Sequence, residues 1–362
     1  MFYKGDKRLI CVMETVIRKI SQEITEQEFE YIKEAGNIIR TGGLVAFPTE
    51  TVYGLGGNAL DKNASAKIYA AKGRPSDNPL IVHISDMDML DELAKDIPEQ
   101  AYALAGLFWP GPLTLVLKKK DIIPDETTGG LDTVAIRMPD NDVALSFIKE
   151  AGVPIAAPSA NLSGRPSTTT ALHVWDDLSG RIDMILDGGA VDIGVESTIV
   201  DLTDKDPIIL RPGYVNEDML KKVCDKVLRD QTLDDMTRTD IKPKAPGMKY
   251  RHYAPLGDLA IVCGDISNTV NKINELARQH DESVTAVITT EENKDKYDYG
   301  KVICIGTRKD PFSIAHSLYD VLRKMDDYGM KHIYMEGFYD NDLGDAIMNR
   351  LKKASGGHII YV

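Results

Sequence analysis

The sequence predicts an α/β protein of two domains, a larger one followed by a smaller one. Three observations carry this. Apolar, β-rich segments alternate with helical patterns along the chain, the composition breaks once between Leu228 and Pro255, and 362 residues exceed what a single core usually serves. Hydrophobic residues at 43% and charged residues at 27% suit a folded globular chain and are too apolar for a disordered one.

Taken in order, the stretch from Gln22 to Arg40 is amphipathic, with Phe29, Ile32, Ile38 and Ile39 forming one apolar face, and Gly42 and Gly43 end it. A strand from Leu44 to Phe47 then runs into Pro48. Further strands are expected at Leu80 to Ile84, Leu113 to Leu117, Val134 to Met138, Ile155 to Ala157, Ser197 to Leu202 and Ile208 to Arg211. Helices are expected near Asn63 to Ala71, Asp88 to Ala105 and Asp142 to Glu150. Gly54 to Ala59 matches the spacing G-x-G-x-x-A of a dinucleotide-binding turn, but residues 48–53 separate it from the preceding strand and no acidic residue ends a second strand at the right distance. Its glycines read better as a tight backbone turn.

Between Leu228 and Pro255 aliphatic residues are few and Pro243, Pro246 and Gly247 fall close together, which marks a linker. Beyond it LAIVCG (259–264), VTAVITT (284–290), KVICIG (301–306) and HIYMEG (332–337) read as four strands. Helical patterns lie between and after them at about Asn268 to Arg278, Pro311 to Lys324 and Leu343 to Lys353. Pro311 suits a first helical turn, where its missing N–H costs nothing. The expected division is an extension at 1–22, a first domain at 23–228, a linker or lid at 229–256 and a small α/β domain at 257–362.

Charge and cysteine content narrow the function. Lys and Arg number 43 against 56 Asp and Glu, a net charge of -13, so a general nucleic-acid coat is disfavoured and any anion binding must be local. Cys11, Cys224, Cys263 and Cys304 are scattered and the histidines show no metal spacing, which signals neither disulfides nor zinc and fits a reducing cytoplasm. No apolar run reaches the roughly 18 residues of a membrane span. Phosphate-loop, zinc-protease, nucleophile-elbow and kinase signatures are all missing.

The informative segments follow strands. PTETVYGLG (48–56) places hydroxyls and Glu50 directly after a buried strand, where α/β sheets expose ligand loops. In Lys72-Gly73-Arg74 two cations stand two residues apart, and Gly73, Pro75 and Pro79 keep the stretch out of helix, which suits convergence on phosphate or carboxylate. Arg137 and Arg211 sit at strand ends. PSANLSGRPS (158–167) offers small donors able to cradle a phosphate, and Glu196-Ser197 opens another strand. Each alone also reads as a turn or a surface charge.

Together PTETVYGLG, AAKGRPSDNPLIVHI (70–84), WPGPLTLVL (109–117), VAIRMPD (134–140), PSANLSGRPS, GVESTIVDL (194–202) and ILRPG (209–213), in this order, resemble the YrdC-like family of threonylcarbamoyl-AMP synthases. The resemblance covers about Glu23 to Val215, and APGMKYRHYAP (245–255) with the domain after it resembles the family's long, two-domain form.

What the resemblance implies is a twisted mixed sheet around a concave, cation-lined cavity, plus a small Rossmann-like C-terminal domain. It implies a nucleotidyltransferase that joins L-threonine, bicarbonate or CO2 and ATP into threonylcarbamoyl-adenylate with release of pyrophosphate, for N6-threonylcarbamoyladenosine in tRNA. By the same resemblance Thr51, His83, Arg137, Ala157 and Ser197 surround threonine. Lys72, Arg74, Asn78, Thr133, Ser159, Asn161, Ser167 and Arg211 face ATP, and Tyr250 closes from the linker as part of a lid with Lys242, Lys244, Lys249 and Arg251. Lys72 and Arg74 are the expected catalytic pair. Magnesium is expected only as ATP's companion. The expected partner is a downstream threonylcarbamoyl transferase, with no membrane and no stable tRNA complex. An RNA-binding module is the alternative, weakened by the acidic chain and by cations confined to small-residue loops.

Overall fold

The computed structural model describes residues 13–231, 233, 243–246, 252–338 and 342–362. Its first sheet is mixed and runs from Val16–Lys19 at one edge through Met184–Asp187, Val45–Phe47, Gly54–Asn58, Ile155–Ala157, Ile81–His83, Thr133–Arg137, Leu113–Lys119, Thr198–Asp201 and Ile208–Arg211 to Leu228–Arg229. The short strand Ala94–Lys95 pairs beside Leu113–Lys119.

Local chemistry explains the elements that frame this sheet. Glu26–Arg40 is a helix because Thr25 and Glu28 cap it reciprocally and because Ile32, Ala35, Gly36 and Ile39 share its buried face. A Cβ on Gly36 would stand 2.9 Å from the Glu150 carbonyl, so only glycine lets this helix lie against Asp142–Ala151. Lys62–Lys72 starts on the Asp61 cap and stops at Gly73, whose φ of 62° is the left-handed value that glycine adopts cheaply.

Two expectations need correction. Gly54–Asn58 is neither a nucleotide turn nor a tight turn but a strand, antiparallel to Val45–Phe47 and to Ile155–Ala157. Its glycines answer crowding: a Cβ on Gly56 would come within 2.8 Å of Ile155 Cγ2. The single helix expected from Asp88 to Ala105 is two helices, Asp88–Leu93 and Glu99–Phe108, because Pro98 cannot sit inside a helix and instead precedes the second one. Strands Val16–Lys19 and Met184–Asp187 and helix Ala171–Leu178 were not foreseen.

The second sheet is wholly parallel, with Lys301–Cys304, Thr285–Thr289, His332–Glu336, Asp258–Cys263 and Ile359–Tyr361 in that spatial order. The last strand, three residues long, is one more than the four expected. Helix Ile266–Ala277 covers one face with Val270, Ile273 and Ala277. Helices Pro311–Asp327 and Asp342–Ala354 cover the other and turn apolar side chains toward the first domain, where Val52, Ile193 and Val195 join Leu318, Tyr319 and Leu322 in one cluster.

A buried ion pair accompanies that apolar contact. Arg323 donates to both carboxylate oxygens of Asp177, at 2.9 and 3.2 Å, and to the Pro166 carbonyl at 2.6 Å. Asp177 is fully buried, and Arg165 is its second cation. Removing Arg323 leaves the buried Asp177 with Arg165 alone, so Arg323→Ala should lower stability by about 3 kcal/mol. Urea unfolding followed by fluorescence checks this, and an unchanged midpoint would show that the pair does not hold the domains together.

Candidate active site

Loops at strand ends of the first sheet converge on one cavity. It is lined by Thr49, Val52, Gly54, Lys72, Arg74, Ile81, His83, Arg137, Ala157, Ser159, Asn161, Ser163, Glu196, Ser197 and Arg211, with Pro246, His252 and Tyr253 entering from the segment between the domains. The parallel register of Ile81–His83 with Thr133–Arg137 sets His83 directly beside Arg137.

Each cation there is held in a different way. Arg137 forms an ion pair with Glu50 at 2.5 Å, outside good hydrogen-bonding angles, and donates to Thr51 Oγ1 at 2.9 Å; Thr51 in turn meets Thr49 at 2.9 Å. The Lys72 ammonium donates to the carbonyls of Ser159 and Asn161, not to a carboxylate. Burial, and then the neighbouring Arg74, holds this amine well below the usual lysine range. A group so placed gains most from a ligand that brings negative charge. Arg211 donates to the Ser197 carbonyl at 3.0 Å and to Ser197 Oγ at 3.1 Å, and burial lowers it to about 10.

Glu196 is the buried carboxylate of the cavity wall, next to Ser197 and Arg211. Burial pushes it up, yet Arg350 and Arg211, helped by Ser167, outweigh burial and hold it at about 2. It accepts from Ser167 Oγ at 2.6 Å, from the Tyr319 hydroxyl at 2.8 Å and from Arg350 Nε at 2.8 Å.

Among the residues singled out from sequence, Lys72, Arg74, His83, Arg137, Ala157, Ser159, Asn161, Ser197 and Arg211 line the cavity. Thr51 and Ser167 stand one bond behind it, through Arg137 and Glu196. Asn78 is buried off the cavity, its backbone carbonyl taken by Tyr69 and its Oδ1 without a hydrogen-bond partner among the described residues. Thr133 begins the strand that ends at Arg137, roughly 13 Å away along the backbone, and does not line the cavity. Tyr250 lies outside the described residues, as do Lys242, Lys249 and Arg251. Lys244 is described and pairs with Asp201 at 2.9 Å. His252 and Tyr253 were overlooked although they stand in the quoted linker motif. Arg350 and Tyr319 gave no sequence signal, since each sits in an ordinary amphipathic helix.

No group of three or more His, Cys, Asp or Glu that could hold a metal occurs among the described residues. Glu196 in the cavity wall and Glu50 behind Arg137 are both committed to arginines. The site therefore does not fit a protein-bound magnesium. Among the described residues no helix is long and apolar enough to cross a membrane.

With this geometry in hand, comparisons with known proteins are informative. A family model for Sua5, YciO and YrdC, described as telomere recombination, matches residues 37–213. A second, the threonylcarbamoyl-AMP synthase C-terminal domain, matches 215–356. The chain is 47% identical to the threonylcarbamoyl-AMP synthase of Pyrococcus abyssi over 96% of its length and all of the relative's. It is 48% identical to that of Bacillus subtilis over 91% of its length and 94% of the relative's. The crystal structure of Pyrococcus abyssi Sua5 complexed with L-threonine superposes with a TM-score of 0.90 at 47% identity, covering 96% of this chain and 100% of that one.

The site's histidines predict how stability follows pH. Burial, then Arg137, lowers His83 to about 3, and burial, then Arg74, lowers His252 to about 3. Unfolded imidazoles titrate near 6.5, so the folded state is favoured fully above that pH and loses about 1.4 kcal/mol per unit for each histidine as pH falls toward 3. Thermal melts between pH 7 and pH 4 should decline, and His83→Gln should flatten the decline. A Tm that holds down to pH 4 contradicts the reading.

Proposed function

The chain belongs to the threonylcarbamoyl-AMP synthase family in its two-domain form, and from that premise we propose how its cavity makes the adenylate. The substrates are L-threonine and ATP, with bicarbonate or CO2 as the third reactant. The threonine amine adds to CO2 and loses a proton, giving a carbamate. A carbamate oxygen then attacks the α-phosphorus of ATP, and the bond to the β-phosphate breaks with pyrophosphate leaving. The product serves N6-threonylcarbamoyladenosine formation in tRNA through a downstream transferase.

The observation that carries this reading is the set of cations around one cavity, with Lys72, Arg137 and Arg211 buried and Arg74 half-buried. On the side of His83, Arg137, Ala157 and Ser197, with Thr51 behind Arg137, a guanidinium can take the threonine carboxylate while Ala157 leaves room for the methyl. On the side of Lys72, Arg74, Ser159, Asn161 and Arg211 the cations and hydroxyl are placed to bind phosphates. The neutral His83 beside Arg137 is a hydrogen-bonding group and not a further charge. Asn78, Thr133 and Ser167 act on ATP only indirectly in this assignment, through the loops they support. The segment around Pro246, His252 and Tyr253 caps the cavity and limits water.

This chemistry needs alignment and charge neutralisation, not a covalent nucleophile. Lys72 and Arg74 offset charge developing on the departing pyrophosphate. Magnesium bound to the ATP phosphates would supply further neutralisation, held by the nucleotide and not by a carboxylate of this cavity. Cations gathered in a cavity suit a small anion better than an extended RNA backbone, which asks for an exposed track.

Pyrophosphate release from ATP should depend on both threonine and bicarbonate; equal release without either would sink the assignment. Serine should be poorer by roughly 10 to 200-fold, since one methyl in an apolar niche is worth about 1–3 kcal/mol. Arg74→Ala should cut turnover by about two orders of magnitude while Tm moves little, because its loss removes charge stabilisation more than packing. Normal turnover with a lowered Tm would make Arg74 structural.

A further inference from the structure

The second domain braces the cavity wall from behind through Arg350 and Tyr319. Arg350, in helix Asp342–Ala354, is completely buried, which is rare for arginine and must be fully compensated. Its Nε donates to Glu196 Oε2 at 2.8 Å, one guanidinium nitrogen to the Pro212 carbonyl at 2.7 Å and the other to the Glu196 carbonyl at 3.1 Å.

Those acceptors flank the residues that matter. Glu196 precedes Ser197, and Pro212 follows Arg211, and both Ser197 and Arg211 line the cavity and bond each other. The two loops already touch: a Cβ on Gly213 would fall 2.5 Å from Thr198 N and 2.8 Å from the Glu196 carbonyl. Arg350 stitches them from behind without touching the cavity itself. Tyr319, from the neighbouring helix of the same domain, donates to the same carboxylate and stacks on Tyr253 with ring centroids 5.3 Å apart.

We propose that Arg350 is a positioning residue for the synthase reaction, fixing Ser197 and Arg211 relative to each other through Glu196 and Pro212, so that the C-terminal domain completes the active site. The proposal rests on the synthase reading above. A planar guanidinium can serve three acceptors in fixed directions, whereas a lysine ammonium is a point charge that can reach only part of that set.

The test measures pyrophosphate release and Tm together for the full chain, wild type beside Arg350→Lys and Tyr319→Phe. Arg350→Lys keeps the charge opposite Glu196 but frees at least one carbonyl, so KM for threonine and for ATP should both rise about ten-fold, as expected when loops shift by a fraction of an ångström. Loss of folded enzyme alone would scale kcat and leave both KM values fixed, and that result overturns the proposal. If Arg350→Lys does not fold, Tyr319→Phe decides, because its ring keeps the packing while one donor to Glu196 is lost: a smaller rise in both KM values supports the proposal, and wild-type KM values overturn it. A wild-type chain that releases no pyrophosphate would instead overturn the synthase reading and this proposal with it.

Discussion

Keeping three cations, Lys72, Arg137 and Arg211, buried around one cavity is the constraint around which the molecule is arranged. A charge moved from water into protein loses several kcal/mol unless something polar replaces the water. Carboxylates would replace it most strongly, but a cavity of matched ion pairs would hold no affinity for an anion. The arrangement found here is intermediate. Lys72 is solvated by the carbonyls of Ser159 and Asn161, Arg211 by that of Ser197, and Arg137 is given a carboxylate, Glu50. Backbone dipoles keep the cations in place without cancelling them, and the remaining field points to a ligand.

This explains why the loops are built as they are. Carbonyls can be aimed inward only where the chain leaves regular structure, hence PSANLSGRPS after a strand and Gly73 after a helix. Asn161 spends its side chain amide on the Leu162 and Arg165 carbonyls, holding the turn that presents its own carbonyl to Lys72. The small domain plays the corresponding part on the far side, where Glu196 must remain ionised in the interior. Its partners, Arg350 and Tyr319, come from the face of the parallel sheet that packs on the first domain, while helix Ile266–Ala277 on the other face takes no part.

Much of this was legible in the sequence, and the gaps have physical causes. Lys72 and Arg74 could be singled out because Gly73 and the flanking prolines end the helix there, although Lys72 itself is the helix's last residue. Strand ends located Arg137, Ser197 and Arg211. Gly54–Asn58 was illegible as a strand because its glycines fit crowded neighbours, and propensity sees only the residue and not what surrounds it. Asp88 to Ala105 reads as one periodic helix unless Pro98 is given its full weight. Asn78 shares a motif with cavity residues and Thr133 immediately precedes another such motif, yet the latter's strand direction and the former's burial carry them off the cavity wall. Arg350 could not be found, since one arginine among Lys352, Lys353 and Asn349 reads as a polar helix face until the packing of the two domains turns it inward.

The pairing of Glu196 with Arg350 also has a consequence in time. The two residues are 154 positions apart, so a growing chain makes the carboxylate long before its cation. At roughly 5–20 residues per second the interval is about 8–30 s, far longer than a domain needs to collapse. During that interval the larger domain has its strands and most of its cavity, but Glu196 must rely on Arg211 and Ser167 without its closest cation. The last step in building the site is therefore not the folding of the domain that holds it. It is the arrival, from the ribosome, of a helix belonging to the next one.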